Sequence, residues 1–394
     1  MKKNGGSDYY DYNLIAVIIL LIGFGLVMLY STTSYTAEIR YNNDMYFFRK
    51  QAIYSGGAVL MAIGFSLIFN YHILWTISRM VYILALALMA LTRSPLGLMI
   101  NGARRWIRLG PISFQPSEIA KIAVIVYVPM LIVRMGKNFK GLKAMAEPLL
   151  AGLIQALSTL VFTRNLSTAI IIMAIDFVIV FIAHPQTKPF LIALAGLAAA
   201  AVIAVLAIAG GAGGDFRSRR VLVWLHPEEY SSEGGYQIMQ ALYALGSGGL
   251  FGKGLGNGTQ KLGAVPEAEN DMIFSIICEE LGIFGGIIVV LLFIYLLYRL
   301  FFIAQNAPDL YGSLMVAGIF VHIALQVILN ICVVLNLIPT TGITLPFVSY
   351  GGTSVVILMS EMAIALSVSR MIRFRSPERD LWGDVVKESW QGSR

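Results

Sequence analysis

Continuous apolar runs recur along the whole sequence, and each is close to the roughly 20 residues that a helix needs to cross a bilayer. Of the 394 residues, 57% are hydrophobic and only 13% are charged, whereas about a quarter of the residues in a soluble domain are charged. Lipid accepts only helices or closed barrels, because every backbone polar group must be paired internally. The runs are continuous and do not alternate, so the sequence predicts helices and excludes an ordinary soluble domain.

We therefore predict an all-α integral membrane protein, a bundle of about ten transmembrane helices that forms a single domain over residues 1–394. A large extracellular loop, 210–270, precedes the eighth helix. No small-residue cleavage site follows the first run, so we expect the first span to be retained. The predicted spans are 14–33, 52–69, 73–92, 117–135, 147–163, 166–183, 188–210, 271–300, 312–337 and 350–372.

The even number of spans places both termini on one side of the membrane. That side holds Lys2, Lys3, the basic loop 134–143 and the tail 373–394, so the positive-inside rule makes it cytoplasmic. The net charge of +7 does not indicate nucleic acid, because the basic residues lie in short loops that could not follow a duplex. We expect a multi-pass membrane protein with both termini in the cytoplasm.

Basic residues are about as frequent on the extracellular side, which orientation alone would disfavour. One explanation is that the segment from about residue 211 to 270 is long enough to be translocated regardless of its charge. The loop 93–117 is short, however, so we prefer an anionic ligand that binds outside the membrane. The basic residues on this side are Arg40, Arg49, Lys50, Arg93, Arg104, Arg105, Arg108, Arg164, Arg217, Arg219, Arg220, Lys253 and Lys261.

The loop 93–117 and the start of the fourth span contain the first candidate site residues. Lys121 lies one turn inside the span, and an ammonium in a membrane helix costs a few kcal/mol unless it is paired. Lys121 is thus a functional candidate, although it could also snorkel or pair with Glu118. Trp106 is either a ligand contact or an interfacial aromatic residue.

Asp271, at the start of the eighth span, is the strongest candidate for chemistry. Glu267 and Glu269 precede it, and Lys261 is the nearest cation in the sequence. A carboxylate at a helix N-terminus is favoured by the helix dipole, so we expect a low pKa. The alternative is that Asp271 only caps the helix. Glu279, eight residues on, would lie near the same helix face.

Two further segments are predicted to surround this site. Seven glycines lie between 246 and 258, but the spacing of a phosphate loop is absent. These glycines indicate either close helix packing or a re-entrant loop, or a backbone that cradles a phosphate. The segment 338–354 interrupts the helical pattern with two prolines and a glycine. Irregular backbone at membrane depth is tolerated only inside protein or beside a cavity, so this segment should form another wall of the site.

The chain resembles the SEDS family (shape, elongation, division and sporulation), the bacterial membrane glycosyltransferases that polymerise lipid II into peptidoglycan. The resemblance implies a ten-helix bundle with a large outer loop before the eighth helix. PEA before the aspartate motif favours the division or sporulation branch over the elongation branch. Four ordered blocks carry the match, DYNLIAVIILLIGFGLVMLYS, GARRWIRLGPISFQPSEIAK, GYQIMQALYALGSGGLFGKGLGNGTQKLGAVPEAENDMIFSIICEELG and GITLPFVSYGGTS.

The resemblance also implies roles for individual residues. Asp271 matches the essential aspartate of a motif usually written PEAHTDFIF and here PEAENDMIF, so the aspartate is kept while its neighbours differ. Ser349 belongs to the SYGGTS block. The substrate-binding residues implied by the matching blocks are Arg105, Trp106, Gln115, Glu118, Lys121, Lys261 and Ser349.

The family mechanism is a hypothesis for this chain. The growing glycan on its lipid pyrophosphate is the donor, and lipid II supplies a hydroxyl that Asp271 deprotonates in one inverting step. Arg105, Lys121 and Lys261 would stabilise the leaving pyrophosphate. A divalent cation, Mg or Mn, is an option that no ligand spacing supports, and no protein metal ligand is assigned. The implied partner is a class B penicillin-binding protein transpeptidase.

Two rival functions make different predictions. A lipid II flippase or transporter would also suit a charged cavity in a ten-helix bundle, and it would move lipid II across vesicles without forming polymer. A scaffold for a division or elongation complex would tolerate substitutions in the cavity but not on its lipid-facing surface.

Overall fold

The computed structural model describes residues 9–100, 103–110, 112–211, 216–263 and 265–373. The predictions for Lys2, Lys3 and the tail 373–394 fall outside these residues, apart from Arg373. The helices are α1 Tyr12–Tyr41, α2 Tyr46–Ile68, α3 His72–Leu91, α4 Pro116–Met135, α5 Ala146–Thr163, α6 Leu166–Ala183, α7 Lys188–Ala209, α8 Phe216–Leu225, α9 Tyr236–Gly248, α10 Ile273–Asn306, α11 Leu310–Val334 and α12 Gly352–Arg370.

Within the described residues, ten helices are long and apolar enough to cross a membrane, namely α1 to α7 and α10 to α12. This confirms the predicted all-α multi-pass fold. The first span is longer than predicted, because α1 begins after the Asp11 cap and ends at Asn42 in the left-handed region. Its 30 residues extend about 45 Å, which exceeds the roughly 30 Å of the hydrocarbon core.

A small antiparallel sheet, which was not predicted, forms in the loop 93–117. Its strands pair in the order β1, β2, β3. The pairing of β1 with β2 shifts at a bulge between Leu98 and Met99, which leaves Arg105 without a partner residue in β1. Arg105 is partly buried and Arg104 is exposed, while Ile107 is fully buried. The strands are β1 Gly97–Ile100, β2 Ala103–Leu109 and β3 Ile112–Phe114.

We call the end of the bundle that carries this sheet the sheet end. The helices α4, α11 and α12 form the centre, since more than half of the residues in their most apolar stretches are buried. Asp176 of α6 is fully buried and packs directly against Gly152 of α5. The helix α7 lies at the periphery, and Phe190 is its one buried residue.

The helix α10 is broken at Gly282, where φ is +70° and ψ is −171°. The carbonyls of Glu279 and Glu280, which lose their helical partners at the break, accept hydrogen bonds from amides of the segment 249–254. The two amides that follow the break donate to carbonyls of the same segment. The break is thus fully paired, as backbone at membrane depth must be, and it creates a short half-helix that starts next to Asp271.

Candidate active site

Asp271 lies in a turn at the sheet end, and the connection between α11 and α12 holds that turn in place. Asn330 Nδ2 donates to the Asp271 carbonyl at 2.8 Å and to the Ile343 carbonyl at 2.7 Å. Ser349 Oγ donates to the Asn270 carbonyl at 2.6 Å. The irregular segment 338–354 therefore packs behind Asp271, and Ser349, a predicted substrate-binding residue, fixes the backbone of the turn.

The Asp271 carboxylate has two different surroundings. The side chain is partly exposed, but Oδ1 is buried and has no hydrogen-bond partner among the described residues. Burial raises the pKa of Asp271 to about 7, and the negative charge of Glu267 adds to the rise, while the charge of Arg220 opposes it. A carboxyl with this pKa is partly ionised at neutral pH and is a stronger base than an exposed aspartate.

The expected low pKa of Asp271 was wrong. The helix α10 starts at Ile273 with Met272 as its N-cap, and no side chain makes a cap hydrogen bond there. Asp271 thus precedes the cap and is not itself a cap residue. The helix dipole acts mainly within the first turn, so the loss of hydration outweighs it.

Two arginines from distant segments lie in this region, and the charge of Arg220 acts on both Asp271 and Arg105. Arg105 of β2 is partly buried, its Nε is buried without a partner among the described residues, and burial lowers its pKa. Arg220 of α8 donates to the Thr340 carbonyl at 3.1 Å. Burial and the charge of Arg105 lower the pKa of Arg220, and the charge of Asp271 raises it. The two guanidinium groups repel each other, so the site favours a multiply charged anion.

Sequence reasoning predicted Arg105 and missed Arg220. The neighbouring Arg217 and Arg219 lie in the same basic run, and no spacing distinguished Arg220 from them. The available signal was the large number of basic residues predicted to lie outside the membrane. It identified the region and not the residue.

Glu118 and Lys121 form a second group at the start of α4. Lys121 is 2% exposed, and its ammonium lies 2.8 Å from Glu118 Oε1. Of the two alternatives to a functional role, the structure thus shows pairing with Glu118 and not snorkelling. Glu118 Oε2 is buried without a partner among the described residues. Gln115 is the N-cap residue of α4 but makes no side-chain cap bond. The partly buried Trp106 lies opposite Leu98 in the sheet.

Lys261 lies in a different environment from the one expected. Its ammonium donates to Glu280 Oε1 at 2.7 Å, to Ser31 Oγ at 2.9 Å and to the Gly256 carbonyl at 2.8 Å. An ammonium has three N–H groups, so all three have partners. These contacts give Lys261 a structural role, tying the loop before Asp271 to α1 and α10.

Glu279, which the sequence placed near the helix face of Asp271, does not line an open site beside it. The fully buried Glu279 accepts hydrogen bonds from Lys253, Thr259 and Gln260. Like Glu280, it binds the glycine-rich loop and does not face an open site. Buried carboxylates are stable when paired and hydrogen-bonded in this way.

The glycine-rich stretch packs closely against α10. A Cβ atom at Gly248 would lie 2.0 Å from the Cys278 carbonyl oxygen, and one at Gly252 would lie 2.2 Å from the Glu280 carbonyl oxygen. No side chain fits at those distances. Of the two predicted interpretations, the contacts support close packing over a phosphate cradle.

The described residues do not suit a divalent cation. No group of three or more His, Cys, Asp or Glu side chains among them could hold a metal ion. The charges that act on Asp271 are of both signs, the carboxylates Glu267 and Glu269 and the cation Arg220, whereas Mg²⁺ prefers a set of carboxylate oxygens. We therefore assign no residue to Mg or Mn and derive no step through one.

Fold and site together define a multi-pass cell membrane protein with a basic carboxylate beside two arginines. A family model described as "Cell cycle protein", named for FtsW, RodA and SpoVE, matches residues 11–373. The chain belongs to this family, as the resemblance predicted.

Similar proteins match over nearly their whole length. Stage V sporulation protein E of Bacillus subtilis (strain 168) is 36% identical over 366 residues, which are 92% of this chain and 98% of that protein. A probable peptidoglycan glycosyltransferase FtsW of Trichlorobacter lovleyi is 34% identical over 365 residues, 91% of this chain and 93% of that protein.

Solved structures show the same fold. One is a chain of a peptidoglycan synthase complex, solved to explain how polymerization and crosslinking are coordinated. It has a TM-score of 0.75 at 27% identity, covering 92% of this chain and 98% of that chain. The rod shape determining protein RodA of Thermus thermophilus has a TM-score of 0.67 at 26% identity, covering 93% of this chain and 98% of that chain.

Proposed function

We propose that this chain is a peptidoglycan glycosyltransferase that polymerises lipid II on the outer face of the cytoplasmic membrane. The names of its relatives support glycosyl transfer in cell-wall synthesis. In this proposal the sheet end faces outwards and both termini are cytoplasmic. The identities of 36% to a stage V sporulation protein and 34% to a probable FtsW agree with the division or sporulation branch.

Asp271 is the proposed general base. In an inverting transfer the acceptor hydroxyl attacks the anomeric carbon as the bond to the lipid pyrophosphate breaks. The hydroxyl proton moves to Asp271, and no covalent glycosyl-enzyme forms. A pKa of about 7 for Asp271 suits this role, because a base is most effective when its pKa lies near the working pH.

Arg105 and Arg220 are the proposed binding groups for the leaving pyrophosphate. Negative charge develops on the pyrophosphate oxygens as the glycosidic bond breaks, and preorganised cations stabilise that charge. Guanidinium groups also match phosphate oxygens with paired N–H donors. The repulsion between the two arginines is relieved when a dianion binds.

The remaining predicted substrate residues receive more limited roles. Lys121 and Glu118 form a buried polar pair that we assign to substrate binding, with Trp106 and Gln115 at its edge. Ser349 acts through the backbone of the Asp271 turn. Lys261 acts by holding the loop before that turn. We further propose that a class B penicillin-binding protein transpeptidase is the partner, by analogy with the synthase complex.

The proposal rests on one observation. Asp271, Arg105 and Arg220 come from three separate segments and lie at one end of the bundle. The test is to incubate the purified chain with lipid II, with and without its transpeptidase, and to separate the glycan products by gel. We expect polymer. Movement of labelled lipid II across vesicles without polymer would instead establish the flippase alternative.

A further inference from the structure

A second basic cluster lies at the sheet end, away from Asp271. Three arginines, Arg93, Arg104 and Arg164, line a cavity of about 130 Å³. All three side chains are exposed. The rest of the lining comes from Met99, Ala103 and Phe162.

Burial separates this cluster from the candidate active site. Arg104 is exposed and lines the cavity. Its neighbour Arg105 is partly buried at the bulge of β2 and does not line the cavity. The short basic run of the loop thus contributes to two sites.

The arginines are held in place by backbone contacts. Arg93 donates from Nε to the Phe162 carbonyl at 3.0 Å and from Nη2 to the Val161 carbonyl. Both carbonyls lie in the last turn of α5, where a helix cannot supply their partners. Arg104 Nη1 donates to the Arg93 carbonyl at 3.2 Å. Arg164, at the end of α5, has a φ of +53°. The cluster is therefore partly ordered by the fold.

No carboxylate of the described residues pairs with any of these three arginines. Three positive charges around one small cavity repel each other. Few of their N–H groups are used by the contacts above, and each guanidinium has five. The cavity therefore offers several unused donors and a positive potential to an anion.

We infer that this cavity is a binding site for a phosphate group, distinct from the proposed pyrophosphate site. A volume of about 130 Å³ is close to that of a cavity that holds one benzene ring, so there is room for a phosphorus with its four oxygens. Arginine forks match phosphate oxygens. Exposed Met99 and partly buried Phe162 give the rim an apolar side.

The phosphate can come from a lipid headgroup of the adjacent leaflet or from a free anion. The cavity lies where α5 ends and α6 begins, at the edge of the apolar bundle, so both sources can reach it. The same cations would bind either source, and the experiment must separate them.

The test measures ligand retention by the purified protein in native mass spectrometry. The three probes are phosphatidylglycerol, diacylglycerol, which lacks the phosphate, and inorganic phosphate. The test variant combines Arg104→Gln with Arg164→Asn, since asparagine tolerates the left-handed conformation at that position. Arg93 is left intact because it caps α5. The matched control is Arg108→Gln, another exposed arginine of β2 that does not line the cavity.

We expect the wild type to retain a phosphate-bearing probe in preference to diacylglycerol. The double variant should retain at most about a tenth as much of that probe. Arg108→Gln should retain as much as the wild type. Phosphatidylglycerol binding alone would identify a headgroup site, and inorganic phosphate binding would identify a free-anion site. Equal retention by the double variant, an equal loss in Arg108→Gln, or no preference for phosphate in the wild type would overturn the inference. Because binding is measured without lipid II, failure here leaves the proposed function untouched.

Discussion

At the scale of single residues, the pKa of Asp271 is set by a balance between burial and neighbouring charge. Burial raises the pKa of Asp271, and Arg220 lowers it, leaving a value of about 7. A fully exposed aspartate would be ionised but weakly basic. A fully buried one without a cation would stay protonated at neutral pH. The charge of Arg220 thus leaves part of the Asp271 carboxyl ionised at neutral pH, although burial raises its pKa.

The pH dependence of polymerisation follows from this value. The base must be ionised, so its active fraction rises as the pH rises through about 7. We expect kcat/KM to increase about tenfold per pH unit below that value and to level off above it. Initial rates with subsaturating lipid II between about pH 5.5 and about pH 9 measure this. A flat profile would contradict the assignment.

Arg220 can be tested against its neighbour. In Arg220→Gln we expect the rate to fall by roughly 10² to 10³, because a preorganised charge at the leaving group is lost. The midpoint of the pH profile should also move upwards, since the charge of Arg220 lowers the pKa of Asp271. The control is Arg219→Gln, an exposed position. Equal effects in both variants would show that only general surface charge matters.

At the scale of elements, the broken helix α10 and the glycine-rich loop form one unit. The half-helix from Ile273 to the break at Gly282 carries Glu279 and Glu280, which bind the loop through Lys253 and Lys261. Removing one partner of a buried ion pair costs about 3 to 5 kcal/mol. The position of Asp271 therefore depends on packing around the break.

Two glycines of α9 test this packing. In Gly248→Ala the new methyl group would lie 2.0 Å from the Cys278 carbonyl oxygen, and we expect a loss of about 1 to 3 kcal/mol or more. At Gly246 nothing lies within 4 Å, so Gly246→Ala should be neutral or slightly stabilising. Thermal unfolding of the purified variants measures both. Similar melting temperatures for the two variants would refute the close contact.

The sequence predicted the elements better than their contacts. Apolar length is a local property, so all ten spans were predictable, and the helix pattern identified Lys121 with Glu118. The pairing of Lys261 with Glu280 brings together residues of a loop and a helix interior, and no periodicity encodes it. The sheet at 97–114 was missed because β1 and β3 have only four and three residues, and because β2, ARRWIRL, does not alternate apolar with polar side chains. The raised pKa of Asp271 depends on burial by distant segments.

At the scale of the whole molecule, the account requires the sheet end to face outwards. Lipid-linked sugars and the proposed transpeptidase would meet there, and the basic residues of that end would be exposed to the cell exterior. So many outward basic residues would be disfavoured by the positive-inside rule alone. In our account these cations are retained because they bind anionic ligands.

Orientation can be measured by cysteine labelling in intact cells. Ser113→Cys lies exposed at the sheet end and Lys137→Cys lies exposed at the opposite end, in a Cys332→Ala background, with Cys278 buried. We expect a membrane-impermeant maleimide to label position 113 in intact cells and position 137 only after lysis. The reverse pattern would place Asp271 in the cytoplasm and contradict the proposed reaction.

The most direct measurement is lipid II polymerisation by Asp271→Asn. The amide keeps the shape of the side chain but cannot accept the proton, so we expect the rate to fall by about 10² to 10⁴ while the melting temperature is unchanged. The matched control is Glu269→Gln, the same chemical change at a partly buried position two residues away, which should retain activity. Wild-type polymer yield from Asp271→Asn would contradict the account.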